Sequence, residues 1–197
     1  MKSTKNISDV KYGNMVVSDE VVEYHAARLM LLLLTCGIND RATGYKRIDG
    51  LTKLAKLDFF VRYPDFFEEA AQAEGLEVST EADSSKEEGM VSQPSMTRHH
   101  YGPWDHRYYH VLAYLTGKGL LKVQENDRGN GFEFYLTDSG QELSEQLKES
   151  GSFDPLVEHM EKVNEAFRRR SGNQLKNLIY RVFDEEIAEL ELGESIE

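Results

Sequence analysis

The chain has 197 residues, a formal net charge of -12 at pH 7 and a 40% hydrophobic fraction, which places it among globular chains and excludes a protein whose whole surface grips nucleic acid. Its single cysteine, Cys36, excludes an intrachain disulfide and a cysteine zinc cluster. The longest apolar run, Leu29 to Leu34, is six residues, far short of the ~20 that span a bilayer. The polar start Met1-Lys2-Ser3-Thr4-Lys5-Asn6 has no apolar stretch behind it, so the expected location is the cytoplasm, away from any membrane.

Residues 1–20 show no hydrophobic period and are expected to form an N-terminal arm. Val21 to Thr35 reads as a helix with Val22, Ala26, Leu29 and Leu33 at helical spacing and an apolar face that nearly encircles it. Residues 38–47 read as a polar loop, and Asp49-Gly50 as a turn. Leu51 to Arg62 is a second helix, with Leu54, Leu57, Phe60 and Val61 inward and Lys53 and Lys56 outward. Pro64 stops it and opens a third, Asp65 to Glu74. Residues 76–96 hold five acids against Lys86 alone and few large apolar residues, the composition of a mobile acidic insertion.

The helical pattern resumes at Trp104 and runs to Thr116. Trp104, Tyr108, Val111, Leu112 and Leu115 lie on one stripe; Arg107, His110, Tyr114 and Lys118 lie on the opposite face. Leu120 to Gln124 and Phe132 to Leu136 read as strands around the turn-rich tip Asn126 to Gly131. Thr137 caps the helix that follows. After Gly151, two further amphipathic segments are expected, Phe153 to Arg170 and Leu175 to Leu190, separated by Ser171-Gly172-Asn173.

The order helix, Gly117-Lys118-Gly119-Leu120-Leu121, strand, glycine-rich tip, strand, Leu136-Thr137-x-x-Gly140, helix is that of the C-terminal half of a winged helix. The expected class is therefore mainly α with a small β-hairpin (α+β): a winged helix-turn-helix core with C-terminal amphipathic helices. Residues 21–150 would form the winged-helix domain and 151–197 a C-terminal helical extension. In such a fold the helix before the hairpin enters the major groove and the wing touches the backbone. Residues 98–124 carry four cations against Asp105 alone, a net +3. The candidate DNA-contacting residues are Arg98, Arg107, His110, Tyr114, Lys118, Lys122 and, at the wing tip, Arg128. Four phosphate contacts would give weak, salt-dependent binding to double-stranded DNA. A winged helix can equally serve as a protein-binding module, so the two uses stand side by side.

His99, His100, His106 and His110 include one i, i+4 pair but lack a third zinc ligand, so no metal site is assigned. Nucleotide-binding glycine loops and nucleophile elbows are missing too, and the acidic pairs Glu68-Glu69 and Glu185-Glu186 have no histidine beside them. No catalytic residue and no cofactor are expected.

In the C-terminal region five cations over residues 168–181 precede seven acids over 184–197. A helix with an apolar stripe and oppositely charged ends suits antiparallel self-association or docking on a partner helix, and equally suits packing on its own domain. The candidate partner-binding residues are Arg168, Arg169, Arg170, Leu175, Leu178, Ile179, Val182 and Phe183.

Two sets of strings are more specific. One is Tyr24-His25-Ala26-Ala27-Arg28-Leu29 with Ile48-Asp49-Gly50-Leu51-Thr52-Lys53-Leu54-Ala55-Lys56-Leu57-Asp58-Phe59-Phe60-Val61-Arg62-Tyr63-Pro64. The other is Tyr101-Gly102-Pro103-Trp104-Asp105-His106-Arg107-Tyr108 with Leu115-Thr116-Gly117-Lys118-Gly119-Leu120. They resemble the small middle component of three-component ABC-ATPase systems, the group that includes the Lamassu anti-phage defence operons; the resemblance spans about residues 21–140. It implies a non-catalytic subunit that bridges an SMC- or Rad50-like ATPase and an effector, often a nuclease. The alternative is a free-standing winged-helix transcription regulator, dimerising through its C-terminal helices.

Overall fold

A computed structural model describes residues 22–76, 95–126 and 129–196. The expected N-terminal arm, nearly all of the expected insertion and Arg128 lie outside these residues.

Seven α-helices are described: α1 (Val22–Cys36), α2 (Leu51–Arg62), α3 (Pro64–Ala73), α4 (Tyr108–Gly117), α5 (Asp138–Glu149), α6 (Asp154–Phe167) and α7 (Gly172–Val182). A π-helical turn over Asp184–Ala188 follows α7. Four short antiparallel strands, β1 (Ile38–Asn39), β2 (Lys46–Asp49), β5 (Leu121–Glu125) and β6 (Phe132–Leu136), form a sheet in the order β1-β2-β6-β5. A separate hairpin pairs β3 (Thr97–His99) with β4 (Gly102–Trp104). The molecule is thus α+β, mostly helical with a small antiparallel sheet. No helix among the described residues is long and apolar enough to cross a membrane.

α1 lies at the centre. Leu29, Leu31, Leu32 and Leu33 are fully buried on successive sides, and the helix packs against α2, α4, α5, α6 and the sheet. This is what a nearly encircling apolar face requires, since each exposed leucine would forfeit ~1.5–3 kcal/mol of burial. α6 and α7 close the opposite side. Phe167 packs tilted against Phe60 with ring centres 4.8 Å apart, and Phe183 edge-to-face against Phe66 at 4.7 Å. One continuous core therefore runs from Ala26 to Ile196 across the boundary expected near residue 150. The C-terminal helices are part of the body of the molecule.

Several local expectations are corrected. The 38–47 segment is a short hairpin (β1 and β2), and Ile48 and Asp49 extend β2 against β6. Its polar composition disguised a strand whose outer face carries Arg47 in ion pairs with Asp40, Asp49 and Glu133. Lys56 does not face outward: it is completely buried, and its Nζ donates to the Pro103 carbonyl at 2.7 Å. The helix expected from Trp104 begins at Tyr108, because Gly102 (φ +89°), Pro103 and Trp104 are extended and pair with β3. Pro103 lies in β4. The last helix is interrupted at Phe183, where the chain widens into the π-helical turn. Met96, assigned to the insertion, is a core residue: its N–H donates to Tyr63 Oη and its carbonyl accepts from the Ile196 N–H.

The Leu136-Thr137-x-x-Gly140 string has a clear mechanical basis. Thr137 Oγ1 accepts from the Gly140 N–H as an N-cap and donates to the Gly119 carbonyl. A Cβ on Gly140 would lie 1.9 Å from the Leu120 carbonyl oxygen, so only glycine lets α5 seat against the residue before β5.

Candidate functional site: the α4 and hairpin face and the polar core beneath it

α4 turns its apolar residues Tyr108, Val111, Leu112 and Leu115 into the core and leaves Tyr109, His110, Ala113 and Thr116 outside. Beyond its end, Lys118 is exposed, with Nζ 5.5 Å from the centre of the Tyr114 ring. On β5, Lys122, Val123, Gln124 and Glu125 are all exposed; Lys122 Nζ sits 5.9 Å from the Tyr135 ring. Phe132, at the outer end of β6, is 56% exposed, while Tyr135 is covered by Lys122 and Arg47. His110 and Tyr114 lie on α4, Lys118 just beyond its end and Lys122 on β5.

Arg98 and Arg107 do not join them. Arg98 lies in β3, where its backbone N–H donates to the Glu194 carbonyl and its carbonyl accepts from the Gly193 N–H. Arg107 precedes α4 and folds back onto Asp105: Nε donates to Oδ1 at 2.8 Å and Nη2 to Oδ2 at 2.7 Å. Of the expected basic surface, the described residues therefore keep two exposed lysines.

Arg107 belongs to a buried polar cluster whose members sit in both distinctive strings. Arg28 on α1 donates through Nε to Asp58 Oδ1 at 2.8 Å and through Nη2 to Oδ2 at 3.3 Å. Tyr108 at the start of α4 donates to Asp58 Oδ2 at 2.7 Å. Arg62, one turn after Asp58 on α2, donates to Asp105 Oδ2 at 2.9 Å. His25 lies between the two arginines, with Nδ1 3.0 Å from Arg28 and Nε2 3.2 Å from Arg107. A neutral imidazole has one acceptor nitrogen, so only one of these two contacts is a hydrogen bond at a time. Burial pushes the Asp105 carboxyl up, but the hydrogen bonds from Arg107 and the charges of Arg62 and Arg107 outweigh it and hold it at about 2. Burial also drives the Tyr108 hydroxyl well above its usual value. The cluster thus links α1, α2 and the start of α4 through buried charges, with Arg107 alone reaching the surface.

Sequence reasoning passed over this cluster, although a signal was present. Arg28 stands on an otherwise apolar helix, and Asp58 stands inside Leu57-Asp58-Phe59-Phe60; a charge in such a run must find a buried partner. Lys56 is a neighbouring case: burial, then the charge of Lys176, lowers its amine to about 7.

The C-terminal candidates are placed differently from a free docking stripe. Leu175, Leu178, Ile179 and Phe183 are buried, with α7 packed on α2 and α3 of the same chain; Val182 is half-buried. Arg170 pairs with Glu74 of this chain, as does Arg181, while Arg168 and Arg169 remain exposed. Of the two readings left open for this stripe, packing on its own domain is the arrangement seen.

Comparison with protein-family profiles, with curated proteins and with solved structures gave no match to this chain.

Proposed function

We propose that the chain is a non-catalytic winged-helix adaptor. In this reading it joins an SMC- or Rad50-like ATPase to an effector, a nuclease, in a prokaryotic antiviral defence complex, and contact with double-stranded DNA is a secondary role. The winged-helix part of the reading is supported by the element order α1, β2, α2, α4, β5, β6 and by the strand order β2-β6-β5, in which the strand between the first two helices pairs with the second strand of the wing. The adaptor part rests on the resemblance carried by the Tyr24 to Leu29, Ile48 to Pro64, Tyr101 to Tyr108 and Leu115 to Leu120 strings. The observation that carries it over a dimeric regulator is the covered stripe of α7: the apolar residues such a dimer would use are packed against α2 and α3. Two exposed lysines on the α4 and hairpin face also favour a partner surface over a groove reader, since each phosphate contact adds only a modest salt-dependent increment.

The test is co-purification. The tagged chain, expressed from its own chromosomal neighbourhood, should recover a coiled-coil ATPase and a nuclease at fixed ratio. Recovery of the chain alone, as a dimer that binds a palindromic duplex, overturns the adaptor. Lys118→Glu with Lys122→Glu then decides the DNA role. Loss of duplex binding by the assembled complex places phosphate on this face; unchanged affinity and salt slope assign the face to a partner.

A further inference from the structure

We infer that the β3–β4 hairpin and the start of α4 form a stacking surface for single-stranded nucleic acid, separate from the α4 and wing face. The inference does not rest on the adaptor reading. Its basis is a continuous set of rings. His99 stacks on Trp104 with centroids 5.4 Å apart and planes 28° from parallel, and it touches His100 at 5.4 Å, Tyr101 at 6.4 Å and His106 at 6.4 Å. Trp104 in turn meets Tyr109 at 6.0 Å. The two outermost rings are open to solvent, Tyr101 at 55% and Tyr109 at 61% exposure, and His100 and His106 are exposed beside them.

The backbone beneath is fixed. Tyr180 Oη donates to the His99 carbonyl, Lys56 Nζ holds the Pro103 carbonyl from below, and Trp104 is buried as the anchor. Exposed aromatic rings on a braced hairpin present π-faces at little entropic cost.

Charge completes the pattern. Lys176 Nζ lies 5.9 Å from the Tyr101 ring centre, and Lys56 lies one layer below at Gly102. The adjacent carboxylate, Asp105, is turned inward onto Arg62 and Arg107. The tail that pairs with the far edge of β3 brings Glu194 to the side away from β4. In a chain of net charge -12, a surface with stacked rings, imidazole donors and a lysine fits bases on the rings and phosphate on the cation, with the exposed Asp184 and Glu186 of the π-helical turn beside β4 limiting the phosphates it can hold. A duplex hides its base faces and could use only the cation.

The experiment is fluorescence anisotropy with the full chain and labelled oligo(dT), oligo(rU) and a mixed-sequence duplex of equal length at low salt. Both single strands should bind more tightly than the duplex, with a log–log salt slope of roughly -0.7 to -1.4, for one or two phosphates neutralised. Binding of one single strand only identifies the source as DNA or RNA. Tyr109→Ala and Tyr101→Ala should each weaken binding at least about fivefold, the lower end for losing a stacked base, whereas Tyr109→Phe should retain it. These positions are exposed, so an unchanged melting temperature shows that each variant is folded. Duplex binding as tight as single-strand binding, absence of binding, or full affinity in both alanine variants overturns the inference. Capture of an acidic peptide in place of oligo(dT) and oligo(rU) overturns it as well and makes the patch a protein contact.

Discussion

Replacing Asp58 with alanine tests the buried polar cluster at its most connected point. Asp58 is 0% exposed and accepts from Arg28, itself 1% exposed, and from Tyr108. The substitution leaves a guanidinium in the core without its counter-charge, a loss of about 3–5 kcal/mol for a broken buried pair. The Tyr108 hydroxyl, also buried, loses its acceptor, adding ~1–3 kcal/mol. Against a total stability of about 5–15 kcal/mol, this is a large share. At roughly 2–4 °C per kcal/mol for a chain of this size, the melting temperature should fall by about 6–20 °C from the broken pair alone. Thermal unfolding followed by circular dichroism, with urea titration at fixed pH, reads both quantities. The pair Asp58→Leu with Arg28→Met should recover most of the loss, since apolar replacement of a whole buried ion pair is often neutral or better. An Asp58→Ala variant that melts within ~1 kcal/mol of the parent, with an unchanged urea slope, refutes the cluster as drawn.

Three further outcomes follow from the same geometry. Lys56 has a lowered folded pKa of about 7 against 10.5 when unfolded, so the unfolded chain binds the extra proton between these values. Stability should therefore rise with pH from about 7 toward 10.5, and in urea titrations at pH 7 to 9 Lys56→Met should flatten that slope. Asp105, also lowered, has the same sign in a different window: its stabilisation is present above 3.8 and lost as pH falls through about 2, a contribution of ~2 kcal/mol that Asp105→Asn should remove from the acid limb of the denaturation curve. Gly140→Ala drives a methyl group into the Leu120 carbonyl and should cost at least ~1–3 kcal/mol, while Ser144→Ala one turn later should cost less, about 1 kcal/mol for its hydrogen bond to the Gly140 carbonyl.

The helices with strong periodicity were legible: α2 runs from Leu51 to Arg62 as its pattern dictates, and β6 and the Thr137 cap fall where their residues put them. What escaped was polar structure whose partners are distant in sequence. Lys56 looked solvated because its apolar stem and its acceptor, Pro103, are 47 residues apart in the chain. Arg107 looked like a groove contact because helical spacing continues through it, yet the residue before the helix turns back onto Asp105. The helical pattern suggested a start at Trp104, but Trp104 ends a strand whose hairpin partner, β3, pairs in turn with the tail. The α7 stripe found its cover within the chain.

The pairing of β3 with residues 193–196 sets an order of opening. Arg98 exchanges hydrogen bonds with Gly193 and Glu194, and Met96 accepts from Ile196, so residues nearly a hundred positions apart share these bonds. Long-range closures of this kind form after the body they bridge, and they are held by short strands rather than by α1 or α2. Amide protons of Gly193 and Ile196 should accordingly exchange with solvent well before those of Leu31 or Phe60. Each such opening would release the edge of the hairpin that carries Tyr101 while leaving the central helix closed.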